Sequence, residues 1–170
     1  MPVNIEIKAR CPDPAGAAKI LSGLNAEHKG TDHQVDTYFK VDEGRLKLRE
    51  GNIENNLIFY KRSDHAGPKR SDVILYPCSN DPGLKNILEE TLGILVVVDK
   101  LRDIHFIDNV KFHIDQVEGL GSFIEIEAIG EEGEEFGLNR QCNHYMDALN
   151  IGEEQLISIS YSDLLLEIEG

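Results

Sequence analysis

VNIEIKARC, residues 3–11, places Glu6 and Lys8 two positions apart between apolar residues. SFIEIEAIG, which begins at residue 122, repeats this arrangement with a pair of glutamates. Successive side chains of a β-strand point to opposite faces, so alternation at period two predicts strands with one apolar and one charged face. Such a charged face usually meets solvent; the alternative is a curled sheet whose charged face lines an enclosed cavity.

Length and composition indicate a single folded domain. The chain has 170 residues, of which 41% are apolar, enough to form a core. No apolar run approaches the roughly 20 residues that a membrane-spanning helix needs. The strand pattern begins at the N-terminus, so we expect no secretory signal and one domain over residues 1–170.

The three cysteines indicate a reducing environment. Cys11, Cys78 and Cys142 are far apart, odd in number and without CxxC spacing. This pattern argues against a structural zinc site and a disulfide framework, and it favours a cytoplasmic location. The formal net charge of −14 argues against a general nucleic-acid or membrane-surface binder. An anionic ligand would therefore need a local basic cluster.

The order of the patterned segments predicts an α+β fold. Strands are expected at residues 3–10, 34–41, 43–51, 56–64 and 69–77, followed by a three-strand meander over residues 94–130. Helices are expected after Asp13, after Asp81, over roughly residues 134–149, and briefly within residues 160–168. Eight antiparallel strands are enough to close a barrel around one small ligand. We therefore predict an eight-stranded antiparallel β-barrel, or tunnel, with the helices packed outside.

Charges are segregated by strand. The middle strands carry bases on their polar faces, namely Arg45, Lys47, Arg49, Lys61 or Arg62, Lys69 or Arg70, Lys100 and Arg102. The carboxylates Glu6, Asp115, Glu125 and Glu127 concentrate on the first strand and the last two. A solvated sheet has no need for this segregation, whereas a tunnel that binds a polyanion through metal ions does. Lysine and arginine bind phosphate oxygens, and carboxylates hold Mg²⁺ or Mn²⁺ shared with the phosphates.

Several motifs together resemble those of the CYTH domain, the family of class IV adenylyl cyclases, thiamine triphosphatases and inorganic triphosphatases, also called triphosphate tunnel metalloenzymes. The motifs are NIEIKAR, QVDTYF, GRLKLRE, DKLR and above all IDQVEGLGSFIEIEA, and the resemblance covers essentially the whole chain. It implies an eight-stranded tunnel, a cytoplasmic location and Mg²⁺ or Mn²⁺ as cofactor.

The resemblance also implies roles for individual residues. The metal-binding carboxylates would be Glu6, Asp115, Glu125 and Glu127. The substrate-binding cations would be Lys8, Arg45, Lys47, Arg49, Lys61, Arg62, Lys100 and Arg102. Lys8 would alternatively orient or activate the nucleophile, with Glu6 as its catalytic partner.

Asn4 departs from the family motif, which reads Glu-x-Glu-x-Lys. An asparagine offers a carbonyl oxygen to a metal but neither charge nor proton acceptance. Three outcomes stay open: a weakened second metal site, a shifted substrate preference, or a binding protein without turnover. His113, two positions before Asp115, is interpreted as a wall residue of the tunnel in preference to a ligand.

Three functions follow, in order of preference. The first is metal-dependent hydrolysis of a nucleoside, thiamine or inorganic triphosphate. The second is a class IV adenylyl cyclase that makes cyclic AMP and pyrophosphate from ATP. The third, prompted by Asn4, is a non-catalytic triphosphate-binding module. The expected partner is a small-molecule triphosphate, without nucleic acid or membrane, and the protein is expected to be a monomer or a homodimer.

Overall fold

Segments with alternating apolar and polar residues form strands that close into a barrel. The computed structural model describes residues 2–62, 65–79 and 81–169. Its strands are β1 (Pro2–Arg10), β2 (Glu27–Phe39), β3 (Arg45–Glu50), β4 (Asn56–Arg62), β5 (Lys69–Pro77), β6 (Ile94–Ile107), β7 (Val110–Val117) and β8 (Gly121–Glu131). Every neighbouring pair is antiparallel, and the order around the closed barrel is β1-β5-β4-β3-β2-β6-β7-β8. The predicted barrel is confirmed.

Four α-helices accompany the barrel in the described part of the chain: α1 (Pro14–Gly23), α2 (Pro82–Leu92), α3 (Glu135–Ala148) and α4 (Tyr161–Glu169). Asp13 and Asp81 cap α1 and α2 as predicted, since each side chain accepts a hydrogen bond from a backbone N–H of the first turn. A short 3₁₀ helix at Glu153–Gln155 was not predicted. No helix of the described residues is long and apolar enough to cross a membrane.

The main difference from the sequence-based prediction is the length of β2. This strand starts at Glu27, seven positions before the predicted strand, because it pairs with β6 over nearly its whole length. The added segment EHKGTDH lacks the apolar alternation that reveals a strand. Residues 63 and 64, at the end of the fourth predicted strand, and residues 1, 80 and 170 lie outside the described part.

The main apolar core lies outside the barrel wall. Ile5 and Ile7 of β1 are almost fully buried and belong to a cluster that also takes in β7, β8, α1 and α3. Burying one such side chain contributes roughly 1.5–3 kcal/mol to stability. Leu21 of α1 and Leu138 of α3 cover this face. Because the apolar face of β1 is turned towards the helices, its charged face is turned into the barrel.

Candidate functional site

The charged strand faces line one cavity of about 140 Å³. Among the described residues, seven cationic side chains line it: Lys8, Lys47, Arg49, Arg62, Lys100, Arg102 and Lys111. Four carboxylates line it as well: Glu6, Glu54, Glu125 and Glu127. The cavity is therefore rich in positive charge although the chain carries a net charge of −14.

Three of these carboxylates, Glu6, Glu125 and Glu127, form the acidic cluster on β1 and β8. Glu6 lies directly opposite Glu127 in the pairing of the two strands, and Lys8 lies opposite Glu125. Like charges directly opposite each other destabilise a sheet. Arg62 donates a hydrogen bond of 2.6 Å to Glu6 and so offsets part of this repulsion.

Proton affinities within the acidic cluster differ. Burial and the neighbouring charge of Glu6 raise the pKa of Glu127 to about 7, against the opposing charge of Lys111. Burial opposes ionisation of Glu125 too, but the charges of Arg102 and Lys8 hold its pKa well below its usual range. The acidic cluster thus contains one carboxylate that gains its charge only near neutral pH.

Asn4 contacts the acidic cluster directly. Its side-chain amide Nδ2 donates a hydrogen bond of 2.7 Å to Oε1 of Glu127. A glutamate at this position would instead place another carboxylate against Glu127. The amide partners the glutamate without adding negative charge.

Lys8 lies deep in the cavity, with only 5% of its surface exposed. Its Nζ is 3.9 Å from the ring centroid of Tyr161, 3.8 Å from Oε2 of Glu125 and 3.5 Å from the carbonyl oxygen of Ile159. Burial lowers the pKa of Lys8 to about 7; the charge of Glu125 opposes this effect and that of Arg62 adds to it. A buried lysine of this kind can exchange a proton near neutral pH.

Asp36, Lys47, Arg49 and Lys100 form the Asp36 cluster on β2, β3 and β6. Arg49 donates two hydrogen bonds to the Asp36 carboxylate, at 2.9 and 2.8 Å. The Nζ atoms of Lys100 and Lys47 lie 2.7 and 3.1 Å from Oδ2 of the same carboxylate. Burial opposes ionisation of Asp36, but these three cations outweigh it and hold the pKa of Asp36 well below its usual range.

The CYTH domain family model matches residues 3–161 of the chain. The chain belongs to the CYTH domain family. It is also 26% identical to the Methanocaldococcus jannaschii protein named "Putative adenylate cyclase", over 95% of this chain and 98% of that one.

Solved structures share the CYTH fold. A Pyrococcus furiosus protein has a TM-score of 0.82 at 20% identity, covering 95% of this chain and 99% of its own. A Hippeastrum protein, described as a "putative adenylyl cyclase" with a dominant triphosphatase activity, has a TM-score of 0.60 at 15% identity, covering 100% of this chain and 96% of its own. At these identities the likeness concerns the fold alone.

The CYTH barrel brings most of the predicted site residues together. Of the predicted set, those that line the cavity are Glu6, Lys8, Lys47, Arg49, Arg62, Lys100, Arg102, Glu125 and Glu127. The register of β4 decides between the two candidates on that strand. Asn56, Ile58, Tyr60 and Arg62 face inward, so Lys61, at an odd position, faces outward. The side chain of Lys61 is 53% exposed and pairs with a surface carboxylate, which removes it from the cavity lining.

Arg45 also lies away from the main cavity. It shares the inward face of β3 with Lys47 and Arg49 but sits at the strand's other end. Its guanidinium group donates hydrogen bonds of 3.0 and 3.2 Å to Asp163 of α4. On β5, Lys69 is the buried member of the Lys69/Arg70 pair, and Arg70 is half-buried.

Asp115 does not reach the cavity surface. It pairs with Arg102 in the register of β6 and β7, and it is fully buried. Both of its oxygens are engaged: Arg102 donates to each at 2.8 Å, and the hydroxyl group of Tyr161 donates to Oδ2 at 2.7 Å. In this arrangement Asp115 orients Arg102, whose guanidinium group also contacts Glu125 at 2.6 Å.

Glu54 is a cavity carboxylate that the sequence analysis missed. It lies on the loop between β3 and β4, where the backbone N–H groups of residues 52–54 donate to the buried carboxylate of Asp32. This anchoring holds the Glu54 side chain in the cavity, where it pairs with Lys111 and Arg49. Strand periodicity gives no signal for a loop residue, so only the fold reveals it.

His113 lines the cavity as predicted, with Nδ1 at 3.3 Å from Oε1 of Glu125. Burial and the charge of Arg102 lower the pKa of His113 to about 4, against the opposing effect of Glu125, so the ring is neutral at pH 7.

The donor set of the acidic cluster fits the divalent metal on which the CYTH family depends. Mg²⁺ and Mn²⁺ prefer oxygen ligands, and the cluster offers three carboxylates in one cavity. Glu6 and Glu127 lie directly opposite each other, and a cation between them would relieve their mutual repulsion.

Proposed function

We propose that the protein is a metal-dependent triphosphatase that hydrolyses a triphosphate held in the barrel cavity. The observation that carries the proposal is the direct opposition of Glu6 and Glu127 in a cavity that the three basic side chains of the Asp36 cluster also line. The acidic cluster suits a divalent cation, and the Asp36 cluster suits phosphate oxygens. A metal–triphosphate complex needs both.

The three carboxylates Glu6, Glu125 and Glu127 would hold Mg²⁺ or Mn²⁺. When bound, such an ion supplies charge neutralisation and a fixed orientation for the phosphate oxygens. Asp115 has no free oxygen for this purpose, and its proposed role is to position Arg102.

The phosphate contacts would come from Lys47, Arg49, Arg62, Lys100 and Arg102. In the Asp36 cluster three basic side chains share one carboxylate, so the cluster holds more bases than acids. Burial lowers the pKa of Lys100 well below its usual range, against the opposing charge of Asp36, and a bound phosphate would favour its charged form. Each lysine carries three N–H donors, and Lys100 gives one of them to Asp36. The remaining donors can bind phosphate oxygens while the cluster keeps its internal hydrogen bonds.

Lys8 would act as the general base. With its pKa near 7, a sizeable fraction of Lys8 is neutral at slightly alkaline pH and can accept a proton. In the proposed step, a water oxygen bonds to the terminal phosphorus and the bond from phosphorus to the bridging oxygen breaks. The proton of the water passes to Nζ of Lys8, and inorganic phosphate separates from the diphosphate.

Cyclisation of ATP is the second candidate, favoured by the apolar part of the same cavity. Ile58, Val73 and Leu75 of β4 and β5 line it together with Tyr60. Such a wall suits the flat organic group of a nucleotide, and the name of the M. jannaschii relative points the same way. Hydrolysis ranks first because the Hippeastrum protein carries an adenylyl cyclase name and a dominant triphosphatase activity.

Binding without turnover is the third candidate, and it rests on Asn4. The hydrogen bond from its amide to Glu127 occupies one oxygen of a proposed metal ligand. A cavity that holds its metal weakly would still bind a triphosphate through its cations.

A product assay separates the three candidates. Tripolyphosphate, ATP and thiamine triphosphate are each incubated with Mg²⁺ or Mn²⁺ at neutral and alkaline pH. Release of phosphate supports hydrolysis, pyrophosphate with cyclic AMP supports cyclisation, and binding without product supports the third candidate. Absence of turnover with every substrate and both metals contradicts both enzyme proposals.

Two variants connect the product to the cavity. Glu6→Gln removes a proposed metal ligand and should abolish turnover. Glu43→Gln changes a carboxylate that is 79% exposed, and it should leave turnover unchanged. Equal rates in the two variants would contradict the assignment of the acidic cluster.

A further inference from the structure

A second group of potential metal ligands lies on the outside of the barrel, between β2 and β6. His28, Asp103 and His105 each offer one ligand atom, and these atoms lie within 4.8 Å of one another. Lys100 and Arg102 occupy even positions of β6 and line the cavity. Asp103 and His105 occupy odd positions and therefore face away from it.

A bulge in β2 brings His28 to this face. His28 lies opposite His105 and Thr31 lies opposite Asp103, with one extra residue of β2 between the two pairs. In a regular strand, His28 and Thr31, three positions apart, would point to opposite faces. The extra residue places them on the same face. Gly30, within the bulge, has a φ of 139°, which side chains other than glycine rarely adopt.

His105 supplies the observation that points to a ligand. The residue is 6% exposed, and its ring stacks on the ring of His28 with a centroid separation of 4.6 Å. Within the described part of the chain, its Nε2 is buried and has no hydrogen-bond partner. A buried polar atom without a partner costs stability, so native structures usually supply one.

The other two ligands are held in place by hydrogen bonds. Oδ1 of Asp103 lies 2.9 Å from Nε2 of His28 and accepts a hydrogen bond of 2.6 Å from the hydroxyl group of Thr31. Burial and the neighbouring His28 lower the pKa of His105, which favours its neutral form. Burial opposes ionisation of Asp103, but Thr31 and His28 lower its pKa and keep it charged. Neutral imidazole and ionised carboxylate are the states that bind metals.

We propose that His28, Asp103 and His105 form a binding site for a divalent transition cation such as Zn²⁺, Co²⁺ or Ni²⁺. Two imidazoles and one carboxylate suit these ions, whereas Mg²⁺ selects oxygen ligands. Ligand atoms bound to Zn²⁺ at about 2.0–2.2 Å lie roughly 3.3 Å apart, so the three side chains must draw closer. The side chain of His28 is 52% exposed and has room to move.

The ion would take the place of the proton that now joins His28 to Asp103. It would tie β2 to β6, the two strands that carry Asp36 and Lys100 on their inner faces. This site is separate from the cavity and does not depend on the proposed triphosphatase activity.

Titration of the metal-free protein with Zn²⁺ by calorimetry, and with Co²⁺ by absorption spectroscopy, tests the site. Saturating Mg²⁺ is present throughout to occupy oxygen-ligand sites, and the titrations are repeated in Glu125→Gln. Binding of one ion that persists in Glu125→Gln, with a cobalt spectrum of nitrogen ligation, is the expected result. Loss of all binding in Glu125→Gln would place the ion in the cavity and overturn the proposal.

His33 provides a matched control. It pairs with Asp99 between the same two strands at 2.8 Å, and its side chain is 55% exposed. His28→Gln should weaken Zn²⁺ binding by more than about tenfold, since even the loss of an outer-shell partner typically costs that much. His33→Gln should bind as the wild type does. Wild-type affinity in His28→Gln, an equal loss in both variants, or no binding by the wild type would each overturn the proposal.

Discussion

The acidic cluster and the three basic side chains of the Asp36 cluster line one cavity, and the two clusters hold opposite ratios of charge. In the Asp36 cluster a single carboxylate is shared by Lys47, Arg49 and Lys100. In the acidic cluster Glu127 faces Glu6 and is held by a neutral amide.

Their ionisation differs accordingly. Burial raises the pKa of both Asp36 and Glu127, yet the pKa of Asp36 is held well below its usual range and that of Glu127 is raised to about 7. The neighbouring charges account for the difference: three basic side chains outweigh the effect of burial at Asp36, whereas Glu6 adds to it at Glu127. The four predictions below test this contrast.

The largest effect is expected from reversing a charge in the Asp36 cluster. Arg49→Glu places a second carboxylate beside Asp36, so triphosphate binding should be lost. Removing one partner of a buried ion pair should also lower the free energy of unfolding by roughly 3–5 kcal/mol. Calorimetric titration with tripolyphosphate and urea denaturation measure the two quantities.

Lys61→Glu is the control for this charge reversal. It introduces the same change on the neighbouring strand, but its side chain is exposed and faces outward. Triphosphate affinity should stay within about twofold of the wild type, as is usual for exposed charges. A loss like that of Arg49→Glu would return Lys61 to the substrate-binding set and would contradict the inward face assigned to β4.

Neutralising Glu127 should weaken metal binding but increase the stability of the metal-free protein. Glu127→Gln removes a proposed ligand, so the affinity for Mg²⁺ should fall by at least about tenfold. The metal-free variant should nevertheless be more stable than the wild type at pH 8, by about 1–2 kcal/mol.

The sign of the stability effect follows from the raised pKa. Glu127 holds its proton up to pH near 7 in the folded state but only to pH near 4.5 when unfolded, so its charge destabilises the fold progressively above pH 4.5. Thermal denaturation at pH 5 and pH 8 tests this, since the gain should be much smaller at pH 5 than at pH 8. A variant that is less stable than the wild type at pH 8 would refute the repulsion between Glu6 and Glu127.

The rate should rise with pH through neutrality. Lys8 must lose a proton to act as base, and Glu127 must lose one to bind metal, and both have pKa values of about 7. Because kcat/KM reports the free enzyme, it should increase about tenfold per group between pH 6 and pH 8. Lys8→Arg, which stays charged and cannot accept a proton, should lose most of the turnover, and its residual rate should lack the share of this rise that Lys8 contributes. A flat profile in the wild type would exclude Lys8 as the general base.

The smallest effect is expected at Asn4. Asn4→Glu adds a carboxylate to the acidic cluster and should strengthen Mg²⁺ binding several-fold, by up to about 1 kcal/mol at this partly exposed position. Asn4→Ala removes the amide without adding charge and serves as the control. Unchanged metal affinity and turnover in Asn4→Glu would show that this departure from the CYTH motif has no functional consequence.

The sequence predicted the barrel because alternation at period two is a local signal. Glu6, Lys8, Lys47 and Arg49 show it directly, and each faces the cavity. The choice between Lys61 and Arg62 could not be made from sequence, because adjacent residues of a strand differ only in register. Pairing of β4 with its neighbours fixes that register.

Contacts between residues far apart in the chain could not be predicted from the sequence. Asp115 lies two positions after His113 and so on the same face of β7. Its carboxylate nevertheless accepts hydrogen bonds from Arg102 on the neighbouring strand β6. Glu54 reaches the cavity from a loop, and the alternation of apolar and polar residues does not predict the position of a loop residue. Asp36 alternates with Tyr38 at period two, and that signal could have identified it.

Closure of the barrel has a consequence for how the protein folds. β1 completes its hydrogen bonds only with β8, where Pro2 pairs with Glu131 at the far end of the barrel sequence. Contacts between residues so distant in sequence form slowly, because the intervening chain must first lose its entropy. During synthesis, one edge of β1 therefore stays unpaired until β8 has left the ribosome. An unpaired strand edge can aggregate, so a chaperone would protect the chain most effectively by binding there.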